Sequence, residues 1–442
     1  MSARGHFSSR LGFILAAAGS AVGLGNIWGF PTKVAENGGA AFVVMYLIMA
    51  FLLAYPVLMA ELIIGRAKQS NMIDALQKIS GNAIGTITGS IGAITVILIL
   101  AFYSIVAGWM ISYLVDSVVS ITSLSIPWLT DDSINRNLLF TGLFLILTGV
   151  VVIGGVSNGI ERWSVRLMPT LLILIISLIV YVSTLEGAAQ GWKAFLVPDI
   201  ERVLDPALMV DAMGQAFFSM SLGVGTMLVY GSYVQKQENL PQLGASVALV
   251  DIGIAVLAGM LIIPAMYVAL ANGVEIYDNG QLISGPTLIF TVLPSLFATM
   301  GYIGTFVAFV FFLLMVIAAL TSSISMLEVP VAYLVDSKNV KRKKATVLLS
   351  AVVFTLSAVI ILKFDLLFDF VITLTTVYSQ PLLGLVLCIF AGWVWKRNEI
   401  LAELKQGNEN IEQGLFWKIW PMYVKFVCPA VITFMFYRSV IS

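Results

Sequence analysis

Long runs of apolar residues constrain this chain before anything else does. Residues 43–60, 91–115, 138–156, 168–183, 245–271, 303–320, 346–362, 381–395 and 427–437 are nearly free of charge. A helix needs about 20 apolar residues to cross the hydrocarbon core of a bilayer. With two further runs interrupted by glycine, 11–32 and 211–233, the pattern gives about eleven transmembrane helices. Barrel strands are short, about 10 residues, and alternate in polarity, so these runs are not strands. Backbone groups facing lipid must bond within their own segment, which makes the runs helical. Composition agrees: 59% of the 442 residues are hydrophobic and 11% are charged, with mean hydropathy +0.98. A soluble domain carries roughly 25% charged residues. The expected fold class is therefore an all-α polytopic membrane protein.

Several function classes drop out. The net charge is zero, so there is no basic footprint for nucleic acid. Cys388 and Cys428 both lie in apolar runs, giving neither a disulfide framework nor metal-type Cys/His spacing. The single histidine, His6, sits in the N-terminal tail. Arg4 and Arg10 followed by LGFILAAAGSA look like a secretory leader. The continuation GLGNIWGFP, with another apolar run almost at once, argues instead for a retained first span.

Lysine and arginine in short loops set the orientation. Alternate loops are basic: Arg4 and Arg10; Arg66, Lys68 and Lys78; Arg162 and Arg166; Lys338, Lys341, Arg342, Lys343 and Lys344; Lys396, Arg397 and Lys405. The opposite set carries Asp131, Asp132, Asp199, Asp205, Glu275 and Asp278. This pattern places the chain in a cell inner (plasma) membrane, with the N-terminus cytoplasmic and, for an odd number of spans, the C-terminus outside. The longest outer stretches are 121–137, 184–210 and 272–298; Pro286 and Pro294 flank an apolar LIFTV in the last, which suggests a short re-entrant or capping helix.

Two spans differ from the rest. The first holds Gly19, Gly23, Gly25 and Gly29, and the sixth holds Gly214, Gly223, Gly225 and Gly231. Glycine inside a helix costs about 1 kcal/mol relative to alanine, so two clusters need a reason. One is close helix packing, since small residues sit at membrane helix interfaces. The other is that both helices break at mid-membrane and expose backbone groups for ligands, at corresponding places in two repeats.

RLGFILAAAGSAVGLGNIWGFP in the first span, ENGGAAFVVMYL and MAELIIGR in the second, FYSIVAGW in the third, GQAFFSMSLGVG in the sixth and AALTSSISM in the eighth resemble the neurotransmitter:sodium symporter family, in its bacterial amino-acid transporter branch. No strand precedes Gly23 and Gly25, so their GxG is not a nucleotide loop. The resemblance implies a single transporter domain, 1–442, with a leucine-transporter-like fold. It is a five-plus-five inverted repeat with broken helices 1 and 6: repeat one about 10–184, repeat two about 211–396 and an extra helix about 417–439. It also implies two sodium sites. One uses the Ala21 carbonyl, the Asn26 side chain, Ser219, Asp251 and the substrate carboxylate. The second uses the carbonyls of Gly19, Val22 and Ala318 with the hydroxyls of Thr321 and Ser322. Independently of the family, these segments offer only oxygen ligands, which suit a hard cation, although membrane serines and threonines often bond a neighbouring carbonyl instead. Asp251 is an ionisable group within an apolar run, a functional candidate by default. Relatives with asparagine there depend on chloride, so its carboxylate implies chloride independence. Glu61 is implied to accept bonds from backbone N–H groups freed at the two breaks.

By the same resemblance the substrate pocket is lined by Ala21, Leu24, Gly25, Ile99, Tyr103, Phe218, Ser221, Val224, Ser322 and Met326. Tyr103 would meet the substrate carboxylate, and Phe218 would close over the ligand. Monoamine carriers have an aspartate at position 23; Gly23 implies a substrate that brings its own carboxylate. A lining without charged side chains rejects acidic and basic amino acids through desolvation. With Val224 small and Met326 adaptable, a bulky apolar or aromatic amino acid should fit. Arg4 and Asp336, with Tyr233 nearby, match an inner gate. The outer gate departs from the family: Asp369 is present, but Gly29 stands where relatives have its arginine partner, and Lys33 could either substitute or pair with Glu36.

The function expected is therefore sodium-coupled symport of a neutral amino acid by alternating access, with Na+ as co-substrate, no organic cofactor and no catalytic residue. The competing readings are a proton-coupled or uncoupled carrier on the same fold, and a membrane sensor that binds an amino acid without moving it. An intramembrane enzyme needs clustered acids, histidines or metal ligands at the membrane face, and no such cluster is present in the sequence.

Overall fold

The computed structural model describes residues 5–122, 124–278 and 281–441. Among these, nine helices are long and apolar enough to cross a membrane. They are span 2 (Ala40–Lys68), span 3 (Ala83–Ile121), span 4 (Ile134–Ile153), span 5 (Val156–Ser183), span 7 (Leu240–Ala271), span 8 (Gly301–Asp336), span 9 (Arg342–Leu362), span 10 (Phe364–Val394) and span 11 (Leu415–Ser439). Span 1 is a tenth, made of Arg10–Ala21 and Gly25–Glu36 bent by 53° at the break between them. The segment expected as a sixth span is two short helices, Pro206–Ser219 and Thr226–Gly231, separated by turns over 220–225. The count of about eleven thus resolves into nine continuous spans and two interrupted ones, and the interruptions fall at the two glycine clusters. One detail departs from an all-helical chain: Tyr277–Asp278 pairs antiparallel with Gln281–Leu282 in a minimal hairpin. It leads into the short apolar helix Gly285–Thr299, where the two prolines suggested one.

The broken spans sit at the centre. The first half of span 1 packs against spans 5, 7 and 8, and the second half of span 6 packs against span 2. Small residues allow this approach. A Cβ on Gly65 would overlap the Leu228 carbonyl, and one on Gly231 would stand 2.8 Å from the Leu62 oxygen. Without a water-driven hydrophobic force inside a bilayer, such backbone proximity is what membrane helices use to hold together. Outside, large apolar side chains face away from the protein, among them Ile84, Ile87, Ile91 and Ile94 along one stripe of span 3. Exposed apolar surface of this extent requires lipid.

At the basic end, a fully buried Arg66 ties the bundle together. Its Nε donates to Glu403 Oε1 at 2.8 Å, Nη2 to the Glu403 carbonyl at 2.8 Å and Nη1 to the Glu238 carbonyl at 2.5 Å, while Lys236 Nζ reaches Glu403 Oε2 at 2.7 Å. One guanidinium thereby joins span 2 to the loop that follows span 6 and to the short helix Arg397–Lys405 that follows span 10. Removing one partner of a buried pair strands the other charge, which costs about 3–5 kcal/mol. Glu403→Ala should lower the melting temperature in detergent by the equivalent of that figure, whereas Lys236→Ala, at a more exposed ammonium, should change it little.

Candidate functional site

The two breaks give the site its shape. In span 6, Ser221, Gly223 and Gly225 have φ of 52°, 84° and 80°, in the left-handed region that ends a helix. Gly223 and Gly225 adopt it without a Cβ penalty, whereas Ser221 is held there against its preference, a form of strain that clusters at functional sites. The strained residue is tied on both sides: Ser221 Oγ donates to the Ser20 carbonyl at 3.2 Å, and Thr226 Oγ1 donates to the Ser221 carbonyl at 2.8 Å. Backbone N–H groups released by the break are captured by Glu61. Gly223 N lies 2.7 Å from Oε1 and Leu228 N lies 3.2 Å from Oε2. Both donors belong to span 6, so the support expected of Glu61 at both breaks is seen at this one.

In span 1, Gly25–Gly29 forms one π-helical turn beyond the break, and Asn26 sits within it, fully buried. Asn26 Nδ2 donates to Asp251 Oδ1 at 2.7 Å and to the Asp251 carbonyl at 3.0 Å. Ser219 Oγ donates to Asp251 Oδ2 at 2.9 Å, and Tyr46 stands 3.2 Å from the same Ser219 hydroxyl. Asn26 Oδ1 in turn accepts from Gly23 N at 3.2 Å. Asp251 is fully buried, so its carboxylate is not a solvated surface group. The Asp251 carboxylate, the Asn26 amide and the Ser219 hydroxyl, from spans 7, 1 and 6, thus meet in one buried cluster, with the amide N–H and the hydroxyl O–H both donating to the carboxylate.

Of the residues expected at the second ion site, Gly19, Val22, Ala318 and Thr321 lie together, while Ser322 lines the cavity and bonds to Tyr103. Thr321 Oγ1 stands 3.0 Å from the Ala318 carbonyl, 3.2 Å from the Ile317 carbonyl and 3.5 Å from the Val22 carbonyl. Gly19 lies against Thr321, so close that a Cβ would come within 3.3 Å of the threonine Cβ. Next to it, Ser20 Oγ donates to Ser325 Oγ at 2.6 Å. This hydroxyl meets carbonyls of its own helix and of span 1 at once, so the two readings open in the sequence describe the same geometry.

Between the two clusters is a small cavity of about 10 Å³. Ala21, Gly25, Ile99, Tyr103, Phe218, Ser221, Val224, Ser322 and Met326 all line it, as expected, together with Gly23 and Gln380. Leu24 is the correction: it is not in the lining, and it contributes instead its N–H, which donates to Tyr103 Oη at 3.2 Å. The chain turns at the break, which points the Gly23 backbone, rather than the Leu24 side chain, at the space. Position 23 has no room for a side chain, since a Cβ would stand 2.6 Å from Tyr103 Oη and 2.8 Å from Ser322 Cβ. On the other side of Phe218 lies a larger volume of about 310 Å³, lined by Trp28, Gly29, Lys33, Asp211, Gln215 and Thr376 among others. Phe218 lines both spaces and forms the partition between them.

The gates came out differently from the family pattern. Lys33 Nζ pairs with Glu36 at 2.7 Å and lies 3.7 Å from Asp211, while Asp369 is exposed and takes no ion pair among the described residues. Two nearer carboxylates outcompete Asp369, so an outer gate of Lys33 with Asp369 is not formed. The space beside Gly29 is filled by Gln215, whose Nε2 donates to the Gly25 carbonyl at 2.5 Å. At the basic end Arg4 lies outside the described residues, and Asp336 is the last residue of span 8. Tyr233 Oη donates to Glu328 Oε1 at 2.6 Å, and Arg342 pairs with the other oxygen of the buried Glu328 while its Nε donates to the Val152 carbonyl at 2.8 Å. Phe7 packs edge-on against Phe13, Tyr230 and Tyr233, and Ser8 and Ser9 donate to Glu161. Sequence reasoning passed over Tyr46, Gln215, Glu328 and Gln380. Glu328 carried a signal, an acid in a long apolar helix; the other three looked like ordinary helix residues.

The model of the Sodium:neurotransmitter symporter family matches residues 4–139 and 131–442. An uncharacterised sodium-dependent transporter of Bacillus subtilis, YhdH, is 37% identical, with 97% of this chain and 96% of that protein aligned. A second uncharacterised sodium-dependent transporter, from Haemophilus influenzae, is 34% identical over 97% of each. Among solved structures, the crystal structure of MhsT in complex with L-phenylalanine superposes with a TM-score of 0.87 at 36% identity, covering 99% of this chain and all of that one.

The bonds to Glu61 can be tested without any assay of function. Each buried N–H left without an acceptor costs about 1–3 kcal/mol. Glu61→Ala should therefore lose stability by roughly twice that, with Glu61→Gln, which keeps one carbonyl, in between. Hydrogen–deuterium exchange should quicken at the amides of 223–228 in Glu61→Ala ahead of the rest of the bundle.

Proposed function

Because the chain belongs to the sodium:neurotransmitter symporter family and has the leucine-transporter-like fold, with sodium-dependent transport rather than catalysis as its activity, we propose that it moves a neutral, apolar or aromatic amino acid into the cell together with Na+, without chloride. The observation that carries this reading is the placement of one small cavity between two oxygen clusters, both of which draw residues from broken span 1. An amino acid in that cavity has its carboxylate beside Asn26 and its ammonium beside the carbonyls of Ala21, Phe218 and Ser221. Its side chain then lies among Ile99, Val224 and Met326. MhsT was crystallised with L-phenylalanine, an amino acid of this class.

Two Na+ ions are proposed. One sits among Ala21, Asn26, Ser219, Asp251 and the substrate carboxylate, and the second among Gly19, Val22, Ala318, Thr321 and Ser322. Coupling follows from sharing a ligand: the substrate carboxylate completes the first ion site, so each partner strengthens the binding of the other, and by linkage the effect is reciprocal. The Asp251 carboxylate supplies the negative charge that the site needs near a cation, which supports chloride independence. Gly23 leaves no place for a side-chain carboxylate, so the substrate must bring one. In the cycle proposed, substrate and Na+ enter past Phe218 from the larger outer volume, Phe218 and Tyr103 close over them, and the basic end then opens as Tyr233, Asp336 and the N-terminal segment part. The N-terminus is placed in the cytoplasm and the C-terminus outside, in a cell inner membrane. The repeats run about 10–184 and 211–396, with the helix about 417–439 outside them.

Uptake of labelled neutral amino acids into proteoliposomes tests this directly. Accumulation should need an inward Na+ gradient, fail with K+ in place of Na+, and be unchanged by replacing chloride with gluconate. Asn26→Ala and Ser322→Ala should each weaken apparent sodium affinity by about 10- to 100-fold. Asp251→Asn should make what uptake remains respond to chloride. Accumulation indifferent to sodium would reject both ion sites, and sodium-dependent binding without accumulation would favour the sensor.

A further inference from the structure

The central cavity contains one polar group that the backbone of an amino-acid substrate does not use. Gln380, in span 10, is 1% exposed and lines the cavity beside Phe218, Val224 and Met326. Its Nε2 donates to the Leu222 carbonyl at 3.2 Å, at the span 6 break. That bond fixes which way the amide faces, since the reverse orientation would set two oxygens against each other. The amide oxygen, Oε1, is buried and has no hydrogen-bond partner among the described residues. The other polar side chains around the cavity are already engaged: Tyr103 with the Leu24 N–H and with Ser322, and Ser221 with the Ser20 carbonyl. The backbone holds Gln380 in place. Gly223 lies so near that a Cβ there would overlap the Gln380 carbonyl oxygen, so span 10 and the break are in direct contact.

A carbonyl oxygen can only accept, so its partner must donate. Buried acceptors left unpaired are costly, and a site built to receive a donor discriminates strongly against analogues that lack one. A donor on a short side chain such as threonine would leave Ile99, Val224 and Met326 without contact. An aromatic ring with a donor satisfies the apolar walls and the acceptor together. We propose that Gln380 is a specificity-determining residue, whose amide oxygen receives the phenol O–H or indole N–H of an aromatic substrate, so that the transporter selects tyrosine or tryptophan over phenylalanine. This rests on the amino-acid-binding reading of the cavity and deepens it. It adds a second consequence: a donor that engages Gln380 also braces the contact between span 10 and the span 6 break, where the Leu222 carbonyl is already held.

The test is thermal stabilisation and competition binding of the purified full chain in sodium, using two pairs of ligands that differ only in the donor: tyrosine with phenylalanine, and tryptophan with its benzothiophene analogue. In the wild type the donor-bearing member of each pair should bind about tenfold or more tightly. In Gln380→Met, of similar length without an acceptor, both ratios should fall to about one. Equal or reversed ratios in the wild type overturn the proposal while leaving a sodium-dependent amino-acid site intact, and so do ratios that persist in Gln380→Met. The wild-type ratios decide alone if that variant does not fold. Failure of every amino acid to bind in sodium rejects the transporter reading and this inference together.

Discussion

The capture of the Gly223 and Leu228 N–H groups by the Glu61 carboxylate is the interaction on which the rest of the site depends. A helix interrupted inside a bilayer leaves donors and acceptors that water cannot reach, and each must find a protein partner. Span 2 supplies one for the donors, and it can come close enough only because Gly65 and Gly231 carry no side chain. Once the N–H groups are satisfied, the carbonyls and hydroxyls at the break are free to point elsewhere. Ser221 can hold its left-handed conformation, Ser219 can reach Asp251, and Gln380 can hold the Leu222 carbonyl. Glu61 touches neither proposed ion site nor the cavity lining, yet it makes all three geometrically possible.

The sites are not independent modules. Span 1 supplies a residue to every one of them within eight positions: Gly19 to the threonine cluster, Ala21 and Gly23 to the cavity, and Asn26 to the Asp251 cluster. A movement of span 1 at its 53° bend therefore alters both oxygen clusters and the cavity together. A ligand that shifted span 1 at one of these places would by the same movement shift the other two.

How far the sequence was legible follows from what kind of signal each residue left. The helical membrane fold was readable because the length of an apolar run is set by bilayer thickness. The two breaks were readable because glycine in a helix interior is costly and rarely clusters without reason. Asp251 stood out as a charge in a greasy run, and its buried partners Asn26 and Ser219 followed from the family motif. Gln380 left no such signal. A glutamine before proline near the middle of an apolar span looks like a helix start, and only the chain's path past the span 6 break makes it a cavity-lining residue. Leu24 erred in the opposite sense: its neighbours line the cavity, but the turn of the backbone sends its side chain into the packed core, 1% exposed. The outer gate misled because pairing depends on distance in space. Lys33 has Glu36 three residues away and Asp211 across the vestibule, and both are nearer than Asp369.

The two ends of the transport path are closed to very different depths. At the basic end the path is covered by the aromatic cluster of Phe7, Phe13, Tyr230 and Tyr233, by the bonds of Ser8 and Ser9 to Glu161, and by the Glu328–Arg342 pair with Tyr233. Opening that end requires all of these to separate, with a buried carboxylate losing its partner. At the other end Phe218 lines both the cavity and the larger volume, and beside it Gln215, which lines the larger volume, donates to the carbonyl of Gly25, a residue that lines the cavity. The two ends of the bundle thus differ in kind: the basic end is held by aromatic packing, hydroxyl–carboxylate bonds and a buried ion pair that act together, whereas Phe218 lines both the cavity and the larger space beyond it.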